Sequence, residues 1–568
     1  MIPDLLLALG IYIVTVLSGM PFALTAGRRT LTRIAFSFAL GYVLLSLAGI
    51  LGALLGIDPI FPQMLTVLAG ALLCSRLYLL HRDELHDAVS LNFDRTDWIV
   101  LGSWTLYLVM CILFFDRLIM WMAGDAVAHA EMLRMLIDGH TLPVKLPLLG
   151  NYWEYYPKGF HYYAYLWAKA FPVIDVIQTL PVLITAATPL ILYSIAREMK
   201  HEAVSVYAFL LASFAFSTHY SYLIWGGYPS AAAEMLLVAA VLAAVLKMRL
   251  LFMALALGML LSHPRILALG MGILLAYCLA EWLRRHLTLR HLSILGGGLL
   301  FLAAGWLWVH RPEYLLSVFS DQDLASQFVA RWYPAFLAVF GAAIALIRQE
   351  RLDRMALVWA GSMIIIILLA DSGPLSFLGT ADRLLLPLYL PLSLLAALAL
   401  CRMDGGDARI RASFLLILIS IGVASTGLVL YSYAGSWGLP EQDYDAMIWL
   451  SQQNLSDAVC INLDQTGAWV YPLTGIKTSC PRVAPTGFSC GLSERIRWDP
   501  GNRAAIDELK SIGHENALIY VSSVSILRPG HMPPFAGHDA FPLLNLSFSQ
   551  ADYELLYDDG ARIYRAWA

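Results

Sequence analysis

From Leu5 to Phe22 the chain carries no charged residue, and apolar runs of this kind recur to about position 432. A helix needs roughly 20 apolar residues to cross a bilayer core. Inside that core each backbone amide must be satisfied within its own segment. A polytopic α-helical membrane protein is the fold class these runs impose. Charged residues make up 14% of the chain, against roughly 25% in soluble domains. The first run lacks the basic lead-in of a secretory signal, so it is expected to stay as a span. The net charge of −4 singles out no partner, and there is no basic stripe for nucleic acid.

Basic clusters mark the cytoplasmic ends of spans. Arg28, Arg29 and Arg33 follow the first span, Asp58 the second, Arg76 and Arg82 the third, and Asp125 the fourth. Further clusters continue the alternation at Arg197 and Lys200, Lys247 and Arg249, Arg284 and Arg285, Arg348 to Arg354, and Arg402 to Arg411. They all fall on one side if about 14 transmembrane helices are drawn. Asp125 and the residues beyond 435 then lie on the opposite, extracytoplasmic face of a plasma (inner) membrane. The stretch 250–283 is expected as two short spans broken at Ser262-His263-Pro264-Arg265, since proline after polar residues interrupts a helix.

Two domains are expected, 1–435 in the membrane with an extracytoplasmic loop 124–161, and 436–568 outside it. In the second, helical patterns at Tyr444 to Leu450 and Arg503 to Ile512 alternate with strand patterns at Ala458 to Asn462 and Ala517 to Val521. That alternation suggests a small α/β domain. It has no GxGxxG or P-loop, so no nucleotide site is expected. Cys460, Cys480 and Cys490 lie there; in an oxidising compartment one disulfide and one free thiol is the simplest arrangement. Cys74, Cys111, Cys278 and Cys401 fall in apolar spans, as small core residues.

Chemistry concentrates at the end of the fourth span. Asp125 opens the segment Gly124-Asp125-Ala126-Val127-Ala128-His129, and a charge at the membrane edge needs a reason. The segment reads as an amphipathic helix with Leu133, Leu136 and Ile137 on its apolar side and Gly139 as C-terminal cap. Asp125 could be only an N-cap; the same position also favours a carboxylate ready to accept a proton. His129, one turn later, shares its face. Further along the loop Tyr156, Lys158 and His161 follow, and the lysine suits a phosphate. Tyr152, Trp153, Tyr155 and Tyr156 could equally be an aromatic belt at the headgroup level. Tyr228 lies in the Trp225-Gly-Gly-Tyr-Pro229 turn, His263 and Arg265 flank Pro264, and Arg383 opens a late span beside Asp382, which could simply neutralise it. Glu234 is an intramembrane charge with no obvious partner in the sequence.

At these residues the chain resembles a known superfamily. Asp125-Ala-Val-Ala-His129 followed by Asp138-Gly-His-Thr-Leu-Pro143 looks like the first large external loop of GT-C glycosyltransferases. Tyr156-Pro-Lys-Gly-Phe-His161, Trp225-Gly-Gly-Tyr-Pro229, Asp382-Arg-Leu-Leu-Leu-Pro387 and Gly467-Ala-Trp-Val-Tyr-Pro-Leu-Thr-Gly475 look like one multi-spanning branch of that superfamily. The resemblance touches most of the chain in short islands. It implies an integral membrane enzyme that takes a sugar from a polyprenyl-phosphate-linked donor, with the acidic loop residue at Asp125. Two departures stand out. Three additional spans precede the loop, and Gly124 occupies the place where other members carry a second acid, which leaves open a second acidic partner.

The expected function is thus inverting transfer of a hexosyl or pentosyl group to a cell-envelope glycan, lipid or protein acceptor. Asp125 is the expected base, with Lys158, Arg265 and Arg383 on the leaving phosphate. His129, Tyr156, His161, Tyr228 and His263 complete the expected substrate-binding set. No cofactor is certain from the sequence, and metal use is left undecided. A divalent cation could be held by Asp125 and His129, but the oxygen-rich cluster that magnesium or calcium prefers is not visible. Two rivals carry the same spans: a lipid or glycan transporter or flippase, and a non-catalytic envelope assembly factor whose tail does the binding. The tail would otherwise help place the acceptor or brace the external loops.

Overall fold

The computed structural model describes residues 2–24, 29–80, 93–115, 125–139, 156–216, 220–286, 333–371, 375, 378, 381–402, 408–453, 455, 458–463, 465–479, 492, 495–496, 498–513, 517–523, 526 and 548–566. Among the described residues ten helices are long and apolar enough to cross a membrane, and Glu202–Ala215, Arg249–Ser262 and Ala335–Arg348 are shorter apolar helices. Of the expected spans, any within 287–332 lies outside the described residues, as do Cys480, Cys490, Tyr152, Trp153 and Tyr155. The break in 250–283 falls where proline places it: one helix ends at Ser262 and the next starts at Pro264. The second half, however, is full length, Pro264–His286, because nothing after Pro264 interrupts it.

Val173–Glu198 runs through the centre of the bundle, its apolar window wholly buried. Around it, Ile60–Leu80 leaves most of its leucines outward, and Pro264–His286 exposes Met271, Leu275, Leu279 and Trp282. An outward apolar surface of that extent suits lipid rather than water. Cys278 faces outward as well, and Cys74 and Cys401 are half-buried, so only Cys111 of the four span cysteines is a core residue. The first two helices approach closely, since a methyl at Gly41 would collide with the Thr15 carbonyl, the small-residue packing that membrane helices use.

Ion pairs gather the basic clusters at one end of the bundle. Arg29 Nη1 lies 2.9 Å from Asp94 Oδ2, and Arg197 pairs with the same carboxylate and, at 2.8 Å, with Glu202. His201 reaches Glu350 at 3.6 Å, Glu350 pairs with Arg348, and Arg354 binds Glu281 at 2.8 Å. At the other end Asp58 accepts from the Tyr165 hydroxyl at 2.9 Å.

Beyond Trp437, helix Glu441–Ser451 leads into five strands: β1 (Val459–Asn462), β2 (Lys477–Ser479), β3 (Ala517–Val521), β4 (Tyr553–Asp559) and β5 (Ala561–Ala566). Their order is β2-β1-β3-β5-β4. β1 runs parallel to β2 and β3, whereas β5 is antiparallel to β3 and β4. Every residue of β1 and β3 is buried, as expected for parallel strands covered on both faces. Ile461, Ile519 and Val521 meet helix Arg503–Gly513 through Ile506 and Leu509. Cys460, Leu518 and Tyr520 turn the other way, into a core continuous with the membrane helices. Buried Asp443 accepts from the Ser523 amide at 3.1 Å and from the Tyr520 hydroxyl, pinning the first tail helix to the end of β3.

Candidate active site

Asp125–Ile137 is built from good helix formers, with Asp125 in its first turn and Arg134 in its last. Both charges suit the helix dipole. Gly139, at φ +86°, follows the helix in the left-handed conformation, as a C-terminal glycine does. The expected amphipathicity gives way to burial on almost every side, from Ala126 to Leu133 and again at Met135 and Leu136. The tail covers the face that water would otherwise wet.

A tight turn backs the start of this helix. Helix Ser221–Trp225 ends on Gly226, in the left-handed region at φ +88°, and Tyr228–Val245 begins two residues later with Pro229 in its first turn. A methyl at Gly226 would collide with the Ala126 amide and fall 2.8 Å from the Asp125 carbonyl carbon. Gly226→Ala should therefore destabilise the protein by about 1–3 kcal/mol through overpacking and shift Asp125. A thermal unfolding midpoint equal to wild type in detergent would show that the approach is not this close.

One turn along, His129 is almost fully buried and its Nδ1 lies 3.0 Å from His161 Nε2. Aromatic rings surround it, with centroids at 5.6 Å for Tyr156, 5.7 Å for Tyr228 and 6.0 Å for Phe160. Tyr228 is in turn an electrostatic neighbour of Asp125. Tyr156 also faces the His263 ring at 6.4 Å, so it links the first loop to the helix break. Lys158 donates to the Tyr156 carbonyl at 2.6 Å.

The cations lie beyond the histidines. Arg265 and Arg383 both act on His263, and the Arg383 guanidinium sits 4.7 Å over the Trp225 ring. Burial, then His129 and Lys158, hold His161 well below the usual imidazole range. Burial, then Arg265 and Arg383, push His263 down to about 4. Both imidazoles stay neutral at pH 7, and among the described residues the Nδ1 atoms of His161 and His263 are buried with no hydrogen-bond partner. Such atoms are costly unless something bonds to them.

A pH dependence follows. The folded pKa of His263 lies below its ordinary 6.5, so the unfolded chain takes up the proton first. The unfolding midpoint should be level above pH 6.5 and fall as pH drops toward about 4. Thermal unfolding across that range checks this, and His263→Gln should flatten part of the slope.

All nine expected site residues, Asp125, His129, Tyr156, Lys158, His161, Tyr228, His263, Arg265 and Arg383, thus join one connected cluster, though they come from five separate stretches of chain. Trp225 and Phe160 belong to it as well; the sequence marks them only as members of Trp225-Gly-Gly-Tyr-Pro229 and Tyr156-Pro-Lys-Gly-Phe-His161, not as site residues. Arg383 uses the Trp225 ring, and the side chain of Asp382 lies outside the described residues. Glu234, without an obvious partner in the sequence, has Tyr222 and Tyr389 as neighbours. Among the described residues no three His, Cys, Asp or Glu side chains gather as a metal site.

The geometry sorts the charges. The four residues Trp225 to Tyr228 carry Arg383 over the ring of Trp225 and seat the Asp125 helix against Gly226. One turn therefore touches both the start of the Asp125 helix and, through the Trp225 ring, Arg383.

No family model matches the chain, and no curated protein matches it in sequence. Among solved structures it is similar to the Archaeoglobus fulgidus oligosaccharyltransferase in complex with zinc and sulfate, at a TM-score of 0.41 and 14% identity over 74% of this chain and 68% of that one. A likeness of that degree decides no chemistry.

Proposed function

We propose that this chain is a GT-C-like membrane glycosyltransferase. It moves a sugar, with inversion, from a polyprenyl-phosphate-linked donor to a glycan, lipid or protein acceptor of the cell envelope, on the extracytoplasmic side of the plasma membrane. The observation that supports this best is the Trp225–Tyr228 turn, where Gly226 packs on the backbone at Asp125 and Ala126 and the Trp225 ring carries the Arg383 guanidinium.

In the proposed reaction an acceptor hydroxyl attacks the anomeric carbon and gives its proton to Asp125. The bond from that carbon to the donor's phosphate oxygen breaks, and the electron pair leaves with the lipid phosphate. Arg383, Arg265 and Lys158 meet the charge that develops there. General-base help is worth about 10²–10⁴-fold, and holding both substrates in line adds a comparable or larger factor. The transition state is oxocarbenium-like. His129, Tyr156, Tyr228 and the open Nδ1 atoms of His161 and His263 suit a hydroxyl-rich ring.

Mass spectrometry of envelope glycans and polyprenyl-phosphate sugars, in cells with and without the protein, tests the reading. Loss of one sugar from a glycan, with its lipid donor accumulating on the extracytoplasmic leaflet, is the expected result. Donor confined to the cytoplasmic leaflet would point to a flippase and sink the transferase reading.

A further inference from the structure

The tail does more than cover the Asp125 helix. After β1, the chain makes a single 3-10 segment, Gln465–Trp469, and a short helix, Val470–Thr474, which rides on Asp125–Ile137. Tyr471 is only 3% exposed, and its ring packs with Ala128, Met132 and Met135, with Tyr156 against the same cluster. Its hydroxyl donates to Asp138 Oδ2 at 2.9 Å. Asp138 is itself 3.1 Å from Arg134 Nε. Gly475, at φ +77°, lets the Arg134 guanidinium pass; a methyl there would collide with its terminal nitrogen and lie 2.8 Å from Cζ.

These contacts run from the residue before His129 to the residue after the helix ends. A helix of this length is marginal by itself, so its rotation and height come from what it packs on. Gly226 fixes its first turn, and Phe160 and His161 fix the face that carries His129. On the far half, Leu133 and Leu136 join the core of the membrane helices. Tyr471 closes the methionine side, and it also backs Tyr156, the ring that joins His129 to His263.

We propose that Tyr471 is a positioning residue: through Asp138 and the methionine face, the tail sets the place of the Asp125 carboxylate. The effect on turnover rests on the transferase reading above; the effect on the helix does not. Misplacing a reacting group by about an ångström can cost about a hundredfold in rate. A residue acting only on position should lower kcat and leave the KM for donor in place.

The test uses full-length protein in detergent and in membranes, with Tyr471→Ala, Tyr471→Phe and Gly475→Val. Hydrogen exchange is followed by mass spectrometry alongside kcat and KM. In Tyr471→Ala, exchange across Asp125–Ile137 should rise at least about tenfold while Arg503–Gly513 and Val173–Glu198 keep their protection, and kcat should fall about a hundredfold at near-constant KM. Tyr471→Phe should lie between Tyr471→Ala and wild type, and Gly475→Val should loosen the same helix. Unchanged exchange in Asp125–Ile137 would overturn the proposal, as would a rise shared by the whole tail. If wild type transfers no sugar yet the selective rise appears, the transferase reading fails and the positioning role stands.

Discussion

Asp125→Asn should cut sugar transfer by about 10²–10⁴-fold in kcat, the usual worth of a general base, while the protein reaches the membrane at wild-type levels. The amide keeps the shape of the carboxylate and can still accept a hydrogen bond, but it cannot take the acceptor's proton. Asp125 is half-buried at a helix start, where asparagine satisfies first-turn amides about as well. Little stability is therefore lost, and the two effects separate. Turnover of the lipid-linked donor in membranes with matched protein content measures the first, and the unfolding midpoint the second. An Asn variant as fast as wild type would remove Asp125 from the chemistry.

The second large effect belongs to Arg383. It is exposed and rests on the Trp225 face, a contact worth about 0.5–1 kcal/mol at an exposed site. Its loss should hardly destabilise the fold. A positioned donor on a developing oxyanion is worth about 3–4 kcal/mol, so Arg383→Gln should slow transfer by about 10²–10³-fold. Arg383→Lys should recover part of that, because lysine keeps the charge but not the planar fork that grips two phosphate oxygens. Initial rates at saturating donor distinguish these variants. A Gln variant that changes KM alone would place Arg383 in ground-state binding only.

Much of this architecture was legible because a bilayer leaves few choices. The runs of apolar residues dictate helices, and Pro264 dictates the break at His263. In the tail, the all-buried strand Ala517–Val521 announces itself by composition. The hairpin of β4 and β5 carries an equally readable signal, Asp559-Gly560 between alternating apolar residues, with Gly560 at φ +84°. β2 is only three residues long and has no such mark. The site was legible as residue types and not as an assembly. Nothing in the order of residues brings Arg383 to Trp225 or His129 to His161; packing around Val173–Glu198 does that. The Asp125 helix misleads by its pattern, because the surface that closes its polar side arrives more than three hundred residues later, with Tyr471.

The shared turn has a mechanical consequence. Helices at the rim of a membrane protein tilt or shift as the bilayer thickens and thins, and here the rim includes Pro264–His286, whose first turn carries Arg265. Trp225 and Gly226 are adjacent in the chain and buttress Arg383 and Asp125 respectively. The Asp125 helix and the Arg383 side chain thus rest on neighbouring residues of one turn, while Arg265 belongs to an outer helix. In the proposed transferase, a change in bilayer thickness should therefore move Arg265 more than the resting places of the Asp125 helix and Arg383.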